Sequence, residues 1–311
     1  MSVTVLAVIV LFKKQPYESS ALQSVLRAAA SVPQGRLWLK VLLYDNTPGG
    51  QEPGVLLEHV EYRNASGNHG LASAYNEALR MANTERFDWL LTLDHDTTLP
   101  EHFLHRISEA IESLTSRPDI AAIVPEIWDH DVFISPNTIS FGRSRRLPRP
   151  FVGVPQGEVA AINSATTWRV SAWRELGGFN PLFWLDYLDL WAFHAIQRAG
   201  YRIYVTGDLH VDHELSLLHQ NSRMSPERFQ NWVRARSAFV DLHKGVFDGA
   251  LLTVQLASML CSQTVKRESA VLRRLTWQCL KQRILMTPKR RIEAWSRDMM
   301  DHVPEPSDSF R

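Results

Sequence analysis

The sequence LLTLDHDTTLP, from Leu90 to Pro100, places two carboxylates one residue apart directly after an apolar run. Aspartate is a poor strand residue and is costly to bury, so Asp94 and Asp96 indicate the end of a core strand. Two carboxylates with one spacer, followed by two threonines, suit a hard divalent cation that also takes phosphate oxygens. A solvated strand-end turn is the alternative, because an Asp-x-Asp pattern alone has little specificity.

On both sides of this stretch, further apolar runs alternate with segments whose apolar residues recur at helical spacing. The strand-like runs are Val3–Leu11, LWLKVLLYD and VEYRNA on the N-terminal side, and DIAAIVPEI on the C-terminal side. The helical patterns are ESSALQSVLRAAASVP, SGNHGLASAYNEALRMAN and EHFLHRISEAIESLTS. Near-continuous apolar strands that alternate with helices are typical of a mostly parallel sheet covered on both faces. We therefore predict an α/β fold, in which ligands bind at the carboxyl ends of strands, where Asp45 and the Asp94/Asp96 pair lie.

The composition and sequence pattern of the remaining chain change at two places. Residues 141–157 are rich in Arg, Pro and Gly and are predicted to form a long surface loop. Residues 173–216 have the pattern of a helix, a turn, a second helix and a strand. From about residue 221 no strand pattern remains, and basic residues outnumber acidic ones. We therefore predict a core domain over residues 1–220 and a helical, basic C-terminal region over residues 221–311.

The composition excludes several classes of protein. With 311 residues, 45% hydrophobic and 22% charged, the chain has an ordinary globular composition, and its net charge of +1 creates no field that would attract nucleic acid.

Cys261 and Cys279 have no metal-ligand spacing and favour a reducing, cytoplasmic compartment. Lys13 and Lys14 follow the first apolar run, whereas the charges of a signal peptide precede it. No stretch reaches about 18 uncharged apolar residues, so no transmembrane helix is expected.

Two further motifs precede LLTLDHDTTLP. Asp45 and Asn46, at the end of a strand, are suited to hold a nucleobase N–H or a ribose hydroxyl, and an Asx turn capped by Thr47 is the alternative. GNHGLASAYNEAL has two glycines at a helix start, which fits either phosphate binding or a helix packed closely on the sheet through its alanines. The segment does not match the dinucleotide fingerprint or the P-loop, which argues against an NAD enzyme and a P-loop NTPase.

Two motifs follow LLTLDHDTTLP. Asp186 and Asp189 are spaced i and i+3, and they are predicted to share one face at the start of a helix. Bulky apolar neighbours such as Trp184 should raise their pKa values, as a general base requires; a helix cap and a surface charge are the alternative. LHVDHELS places His213 after a further strand. A histidine there is usually structural, but a neutral imidazole would complete a metal site held by carboxylates and phosphate.

In this order and spacing, the motifs resemble those of inverting family 2 glycosyltransferases with the GT-A fold. The resemblance covers roughly residues 3–244 and rests on AVIVLFKK, LYDNTP, NHGLASAYNEAL, LLTLDHDTTLP, WRELGGFN, WLDYLDLWAFHAIQRAGYRIY, HVDH and FQNWVRARSAFVDLHK. LDxD…P and LDYLD…W…RAGY are most similar to the bacterial rhamnosyltransferase branch, which builds O-antigen and other surface polysaccharides. The resemblance implies a GT-A-type, mostly parallel sheet flanked by helices, with a helical C-terminal appendage.

The resemblance also implies roles for individual residues. Asp96 and His213 would bind Mn²⁺ or Mg²⁺ that bridges the diphosphate of a nucleotide-diphosphate sugar. Asp186 would be the catalytic base, with Asp189 second, since many relatives have two adjacent acids where this chain has Asp186 and Tyr187. The donor would be bound by Leu11, Phe12, Lys13, Asp45, Asn68, Asn76, Asp94 and His95. The acceptor side would include Trp184, Ser164 and Arg149. Many relatives have a glycine near Ser164 and Ala165, and this chain has none there.

The implied activity is metal-dependent, inverting transfer of a sugar to a hydroxyl of a growing surface glycan or lipid-linked glycan. L-rhamnose from dTDP-rhamnose is the best match for the donor. The alternatives are a UDP-sugar donor, and a catalytically inactive assembly partner that binds a nucleotide or glycan. A nucleotidyltransferase would carry a glycine-rich, basic loop after the first strand, whereas LFKKQPYESS contains no glycine.

The basic C-terminal region is either a solvated helical subdomain or a surface for peripheral contact with the inner face of the membrane. The oligomeric state is left open.

Overall fold

The computed structural model describes residues 2–140, 143–213 and 224–300, which fall into two compact units. Among the described residues, the first unit contains those from 2 to 179 and from 189 to 213, and the second contains 180–188 and 224–300. The domain boundary expected after residue 220 falls within 214–223, outside the described residues, and stays a prediction.

In the described chain up to residue 213, five α-helices are interspersed among the strands. The strands are β1 (Val3–Leu11), β2 (Leu37–Asp45), β3 (Val60–Asn64), β4 (Trp89–Asp94), β5 (Thr97–Thr98), β6 (Ile120–Asp129), β7 (Val132–Ser135), β8 (Asn137–Ser140), β9 (Arg143–Arg146), β10 (Val152–Gly153), β11 (Glu158–Ala160), β12 (Thr166–Arg169) and β13 (Arg202–His213). The helices are α1 (Ser20–Ala30), α2 (Gly70–Glu85), α3 (Phe103–Ser113), α4 (Val170–Leu176) and α5 (Leu188–Arg198). Four further helices follow, namely α6 (Pro226–His243), α7 (Val246–Val265), α8 (Ala270–Leu285) and α9 (Pro288–Met300).

A ten-stranded mixed sheet forms the centre of the first unit. Its strand order is β10-β13-β6-β12-β4-β1-β2-β3, with β5 paired to β13 and β7 paired to β6. The four strands β3, β2, β1 and β4 are parallel neighbours, and so are β6 and β13. Between β4 and β6, the short strand β12 runs antiparallel to both neighbours. The predicted α/β class with a mostly parallel sheet is thus confirmed.

The apolar runs in the sequence are continuous because the central strands are buried on both faces. In β1, Val5 and Ile9 belong to a core cluster that also contains Leu22 of α1 and Phe103 of α3. Leu6, between these two β1 residues, points to the opposite face and is also fully buried. On that other side, Trp168, Trp173 and Phe179 pack ring against ring. Both layers leave the carboxyl ends of the parallel strands at one edge of the sheet.

The prediction of a surface loop over residues 141–157 is wrong in part. This segment contains β9 and β10, and β9 pairs with β8 in a separate three-stranded sheet of order β11-β8-β9. The side chains of Ser144, Arg145 and Arg146 are exposed. A strand whose described side chains are all polar and exposed has no apolar periodicity, so the sequence pattern could not reveal it.

The second unit is helical, as the sequence predicts. Val233, Leu252, Leu256, Cys279 and Leu280 form its hydrophobic cluster. Among the described residues, no helix combines the length and apolar character that a membrane span would need.

Candidate active site

The segment that follows β4 reaches the end of β13 through the short strand β5. Asp94 is the last residue of β4, and Asp96 follows in the turn that leads to β5. β5 pairs antiparallel with the end of β13, so that Thr97 is opposite His213. This pairing brings an imidazole from far along the chain beside two strand-end carboxylates.

The three side chains have the geometry of a metal-binding group. One possible ligand atom from each of Asp94, Asp96 and His213 lies within 4.8 Å of the others. His213 Nε2 is 3.7 Å from Asp94 Oδ2, and His213 Nδ1 is 3.4 Å from Asp96 Oδ1. Asp96 Oδ1 is buried and accepts no hydrogen bond from the described residues, which is costly for a carboxylate unless a cation meets it. Two carboxylates and one imidazole therefore fit a divalent cation.

A chain of hydrogen bonds orients this group. The Asp94 backbone N–H donates to Ser164 Oγ at 3.0 Å, and the Ser164 and Thr97 hydroxyls are 2.6 Å apart. Thr97 Oγ1 is in turn 3.0 Å from His213 Nδ1. Because Nδ1 has this partner, Nε2 is the ring nitrogen left for a ligand. Ser164 is fully buried and supports the metal group, whereas the sequence placed it on the acceptor side, a role that stays a prediction.

The loop beside Ser164 adopts the backbone that glycine would favour. Ala165 has a φ of 61°, in the left-handed region, and its N–H donates to the Thr92 carbonyl at 2.7 Å. The alanine thus occupies a backbone conformation that glycine adopts more readily.

The metal-binding group opens into a cleft of about 610 Å³ within the first unit. Its lining is polar and carries both signs of charge: Lys14, Glu18, Ser20, His95, Asp96, Thr98, Asp129, His130, Asp212 and His213. His95, Asp96 and His213 were predicted from the sequence. Asp129 and His130, which are paired at 2.8 Å, were missed, although Asp129 ends β6 and the Asp-His-Asp triplet at 129–131 repeats the one at 94–96.

Asp45 lies at the end of β2, two strands from β4. Its carboxylate is fully buried and accepts hydrogen bonds from the Thr47 backbone N–H at 2.9 Å and the Tyr62 hydroxyl at 2.6 Å. Gln51 Nε2 approaches it at 3.2 Å. The Asx turn that the sequence offered as the alternative is therefore present, and a nucleotide contact of Asp45 stays a prediction.

The other predicted donor-binding residues have different surroundings. Leu11 is fully buried at the end of β1, Phe12 is partly exposed, and the Lys13 N–H donates to Thr47 Oγ1 at 2.7 Å. Asn68 accepts from the Gly70 N–H at 3.2 Å.

Asn76 makes two hydrogen bonds to the Phe179 backbone. Its side-chain oxygen accepts from the Phe179 N–H at 2.7 Å, and its side-chain nitrogen donates to the Phe179 carbonyl at 2.8 Å. These bonds give Asn76 a role in holding α2 to the chain after α4. For Asn76 and for these other predicted donor-binding residues, contacts with a ligand stay predictions.

Asp186 and Asp189 do not share a helix face as predicted. α5 begins at Leu188, and Tyr187 has a φ of 66°, which an α-helix cannot contain. Asp186 therefore precedes the helix and belongs to the second unit, where Arg228 Nε is 3.7 Å from Asp186 Oδ1. Burial raises the pKa of Asp186, while Arg228 acts in the opposite direction, so the expected rise in pKa is confirmed for this carboxyl.

Asp189 lies in the first turn of α5 and in the same unit as the metal-binding group. Tyr75, on α2, is fully buried. Burial raises the pKa of Tyr75 well above its usual value, and the charges of Asp94 and Asp189 raise it further. Both carboxylates therefore lie near the same phenol. Of the two candidates for the base, Asp189 is the one that belongs to the same unit as Asp94.

The two remaining acceptor-side candidates lie in different units. Arg149 packs over the rings of Trp128 and Phe133, 4.8 Å from each centroid, in the first unit. Trp184 belongs to the second unit, and its indole N–H is buried without a partner among the described residues. An acceptor contact stays a prediction for both.

Residues 15–149, which include the β4 carboxylates, match the family model for Glycosyl transferase family 2. Residues 15–149 therefore resemble a glycosyltransferase family 2 domain. The described structure of the chain is similar to that of GalNAc-T7, crystallised with UDP, GalNAc and Mn²⁺, with a TM-score of 0.54 and 14% identity over 98% of this chain and 59% of that chain. It is also similar to S. aureus TarS 1-349 in complex with UDP-GlcNAc, with a TM-score of 0.50 and 14% identity over 97% of this chain and 89% of that chain. A comparison with curated proteins found no match.

These similarities agree with the GT-A fold that the sequence implied for the glycosyltransferase. At 14% identity they bear on the fold alone. The matched segment supplies Asp94, Asp96 and Thr97, while Ser164 and His213 come from the chain beyond it. The candidate metal site therefore depends on strand pairing that extends outside the matched segment.

Proposed function

We propose that this glycosyltransferase is metal-dependent and transfers a sugar, with inversion, from a nucleotide-diphosphate sugar to a hydroxyl of a surface glycan or lipid-linked glycan. The grouping of Asp94, Asp96 and His213 carries the proposal, since two of its members, Asp96 and His213, line the cleft. The cleft volume of about 610 Å³ is in the range of sites that hold a small ligand such as a sugar nucleotide.

The proposed roles follow from the groups present. Asp94, Asp96 and His213 would hold Mn²⁺ or Mg²⁺, which supplies positive charge against the charge that grows on the leaving diphosphate. Lys14, in the lining of the same cleft, would bind phosphate oxygens. The segments that follow β1 and β2, which are linked by hydrogen bonds from the Lys13 N–H to Thr47 and from the Thr47 N–H to Asp45, would hold the nucleoside end of the donor.

We assign the base to Asp189, with Asp186 as the alternative. Asp189 lies in the same compact unit as the metal-binding group, and it shares the neighbourhood of Tyr75 with Asp94. The acceptor hydroxyl oxygen would form a bond to the anomeric carbon while the bond from that carbon to the diphosphate oxygen breaks. The proton of the hydroxyl would pass to the Asp189 carboxylate. A single displacement of this kind inverts the anomeric configuration and needs no covalent enzyme intermediate.

L-rhamnose from dTDP-rhamnose is the donor we propose, on the resemblance of the Asp94 and Asp189 motifs to rhamnosyltransferases. A UDP-sugar is the second candidate, because the ligands of the two similar crystal structures include UDP and UDP-GlcNAc. Thermal-shift measurements with dTDP-, UDP- and GDP-sugars, each with and without Mn²⁺, test both. Stabilisation by one nucleotide that requires Mn²⁺ would name the donor class.

A transfer assay with the stabilising donor completes the test. Release of nucleotide diphosphate that depends on Mn²⁺ and on a glycan acceptor supports the enzyme. Binding of a sugar nucleotide without hydrolysis or transfer would favour the catalytically inactive binding partner instead. Absence of any Mn²⁺-dependent stabilisation would remove the basis for the proposed site.

A further inference from the structure

One side of α7 is exposed and mostly apolar from Phe247 to Val265. α7 runs over twenty residues and contains one charged residue, Asp248. Leu252, Leu256 and Gln263 are buried on one side. The opposite side, at spacings of three and four residues, is exposed and consists of Phe247, Leu251, Val254, Ser258, Cys261 and Val265. The side of a helix opposite its packed side is normally polar or charged, whereas that side of α7 carries no charge and, apart from Ser258, is formed by apolar residues and Cys261.

The exposure of these side chains is large. Phe247 is 79% exposed, Val254 66% and Val265 83%. An apolar strip that follows a helix of this length extends over about 30 Å. Contiguous exposed apolar surface of this kind usually marks a site of interaction.

The exposed side of α8 combines apolar and basic side chains. The Arg283 guanidinium of α8 donates to Thr253 Oγ1 and to the Gly249 carbonyl, so α8 is held directly against α7. On its outer side, Trp277 is 50% exposed, with exposed Arg274 and Lys281 about one turn before and after it.

Basic side chains predominate around these two helices. Between residues 244 and 293 the exposed basic residues are Lys244, Lys266, Arg267, Arg274, Lys281, Lys289 and Arg290. The exposed acidic residues in the same interval are Asp248, Glu268 and Glu293. A second copy of the chain would bring the same positive charge onto this surface, whereas anionic lipid would neutralise it. Charge complementarity therefore favours an anionic lipid surface over a second copy as the occupant.

We propose that the exposed sides of α7 and α8, here called the α7–α8 face, dock onto an anionic lipid bilayer. Phe247, Val254 and Val265 would enter the boundary between headgroups and acyl chains. Trp277 would lie at headgroup level, and Arg274 and Lys281 would contact anionic headgroups. The inference goes beyond the proposed glycosyl transfer, and its failure would leave the chemistry of the Asp94, Asp96 and His213 site untouched.

Co-sedimentation of the full-length protein with lipid vesicles tests the proposal. The wild type should pellet with vesicles of phosphatidylcholine mixed with phosphatidylglycerol, pellet poorly with phosphatidylcholine alone, and dissociate as salt is raised. Phe247→Glu/Val254→Glu should weaken binding to the mixed vesicles about tenfold or more, because it removes two inserted apolar groups and adds negative charge. Arg274→Gln/Lys281→Gln should weaken binding to the mixed vesicles about tenfold.

A matched double variant controls for the added charge. Val55 and Leu57 are 104% and 54% exposed in the first unit, and Val55→Glu/Leu57→Glu should bind vesicles like the wild type. Unchanged Tm values establish that each variant is folded. The proposal is overturned if the wild type does not pellet with mixed vesicles, or if both glutamate pairs weaken binding equally. It is also overturned if light scattering shows a dimer that Phe247→Glu/Val254→Glu converts to a monomer with vesicle binding unchanged.

Discussion

Asp96 is the candidate metal ligand with the greatest need for a bound cation. Its Oδ1 is buried without a hydrogen bond from the described residues, and Asp94 brings a second carboxylate close by. We predict that Asp96→Asn abolishes the Mn²⁺-dependent rise in Tm and lowers kcat/KM about a hundredfold or more, because the variant removes a charged ligand. Without metal, Tm should not fall, since the amide relieves repulsion between the two acids.

Asp212→Asn is the matched control for Asp96→Asn. Asp212 lines the same cleft, but its side chain is 64% exposed and it is not part of the metal-binding group. Calorimetric titration with Mn²⁺ alone should show binding to Asp212→Asn and none to Asp96→Asn. Equal Mn²⁺ binding by both variants would place the metal elsewhere.

The choice of catalytic base is a second test at the scale of single residues. Asp189→Asn should lower kcat by about 10²–10⁴-fold with little change in the donor KM, because a general base acts only in the transition state. Asp186→Asn should have a much smaller effect on kcat. Initial rates across pH should also show that Asp189→Asn loses the acidic limb of the kcat profile. A larger loss of kcat in Asp186→Asn would restore the order that the sequence suggested.

The two cysteines should differ sharply in reactivity. Cys261 is exposed, whereas burial raises the pKa of Cys279 to about 11. At pH 8 the Cys279 thiolate would therefore make up about 10⁻³ of that thiol, and burial restricts access further. Iodoacetamide should modify Cys261 alone in the native protein and both cysteines in denaturant, as measured by peptide mass spectrometry. Similar labelling rates in the native protein would mean that α8 opens readily.

At the scale of elements, the end of α2 offers a stabilising substitution. Arg86 caps α2 with φ 63° and ψ 42°, a left-handed conformation that is unfavourable for residues with a Cβ, and its side chain is exposed. Arg86→Gly should stabilise the fold by about 0.5–1 kcal/mol and raise Tm by about 2 °C. Arg86→Ala retains the Cβ and should change little. Destabilisation by Arg86→Gly, measured by thermal unfolding, would show that the arginine side chain makes a stabilising contact.

Burial decides which elements could be predicted from the sequence. β1, β2, β4 and β6 are covered on both faces, so their apolar runs are continuous and easy to recognise. The strands from β8 to β11 are short, and several of their side chains are exposed, so they lack such a pattern. The start of α5 was placed too early, because the helical spacing of the two aspartates carries no information on the left-handed backbone at Tyr187.

The candidate site was only partly predictable, for a related reason. Asp94 and Asp96 follow a strand-like run, so their position is a local property of the sequence. The nearness of His213 depends on the pairing of β5 with β13, and the Thr97–His213 contact joins residues 116 positions apart. The supporting role of Thr97 arises from that pairing, and that of Ser164 arises from the pairing of β12 with β4. No local pattern encodes either role.

At the scale of the whole molecule, each compact unit has its own means of stabilisation. The first is built on a large apolar core around the sheet. The second has a small apolar cluster, together with a buried ionic group in which Asp241 accepts from Arg283 at 3.2 Å and from Arg291 at 2.7 Å. The side chains of these three residues are 3%, 3% and 9% exposed. Removing the shared carboxylate would leave two buried guanidinium groups without a counter-charge.

We predict that Asp241→Asn destabilises the second unit by about 3–5 kcal/mol, the usual cost of breaking a buried ion pair. Asp298→Asn is the matched control, because Asp298 is 55% exposed and its pair with Arg234 should contribute about 1 kcal/mol or less. Hydrogen exchange measured by mass spectrometry separates the units. Exchange in Asp241→Asn should rise in residues 226–300 and stay unchanged in residues 3–179, since each unit has a core of its own. An equal rise in both ranges would show that the two units unfold together as one cooperative structure.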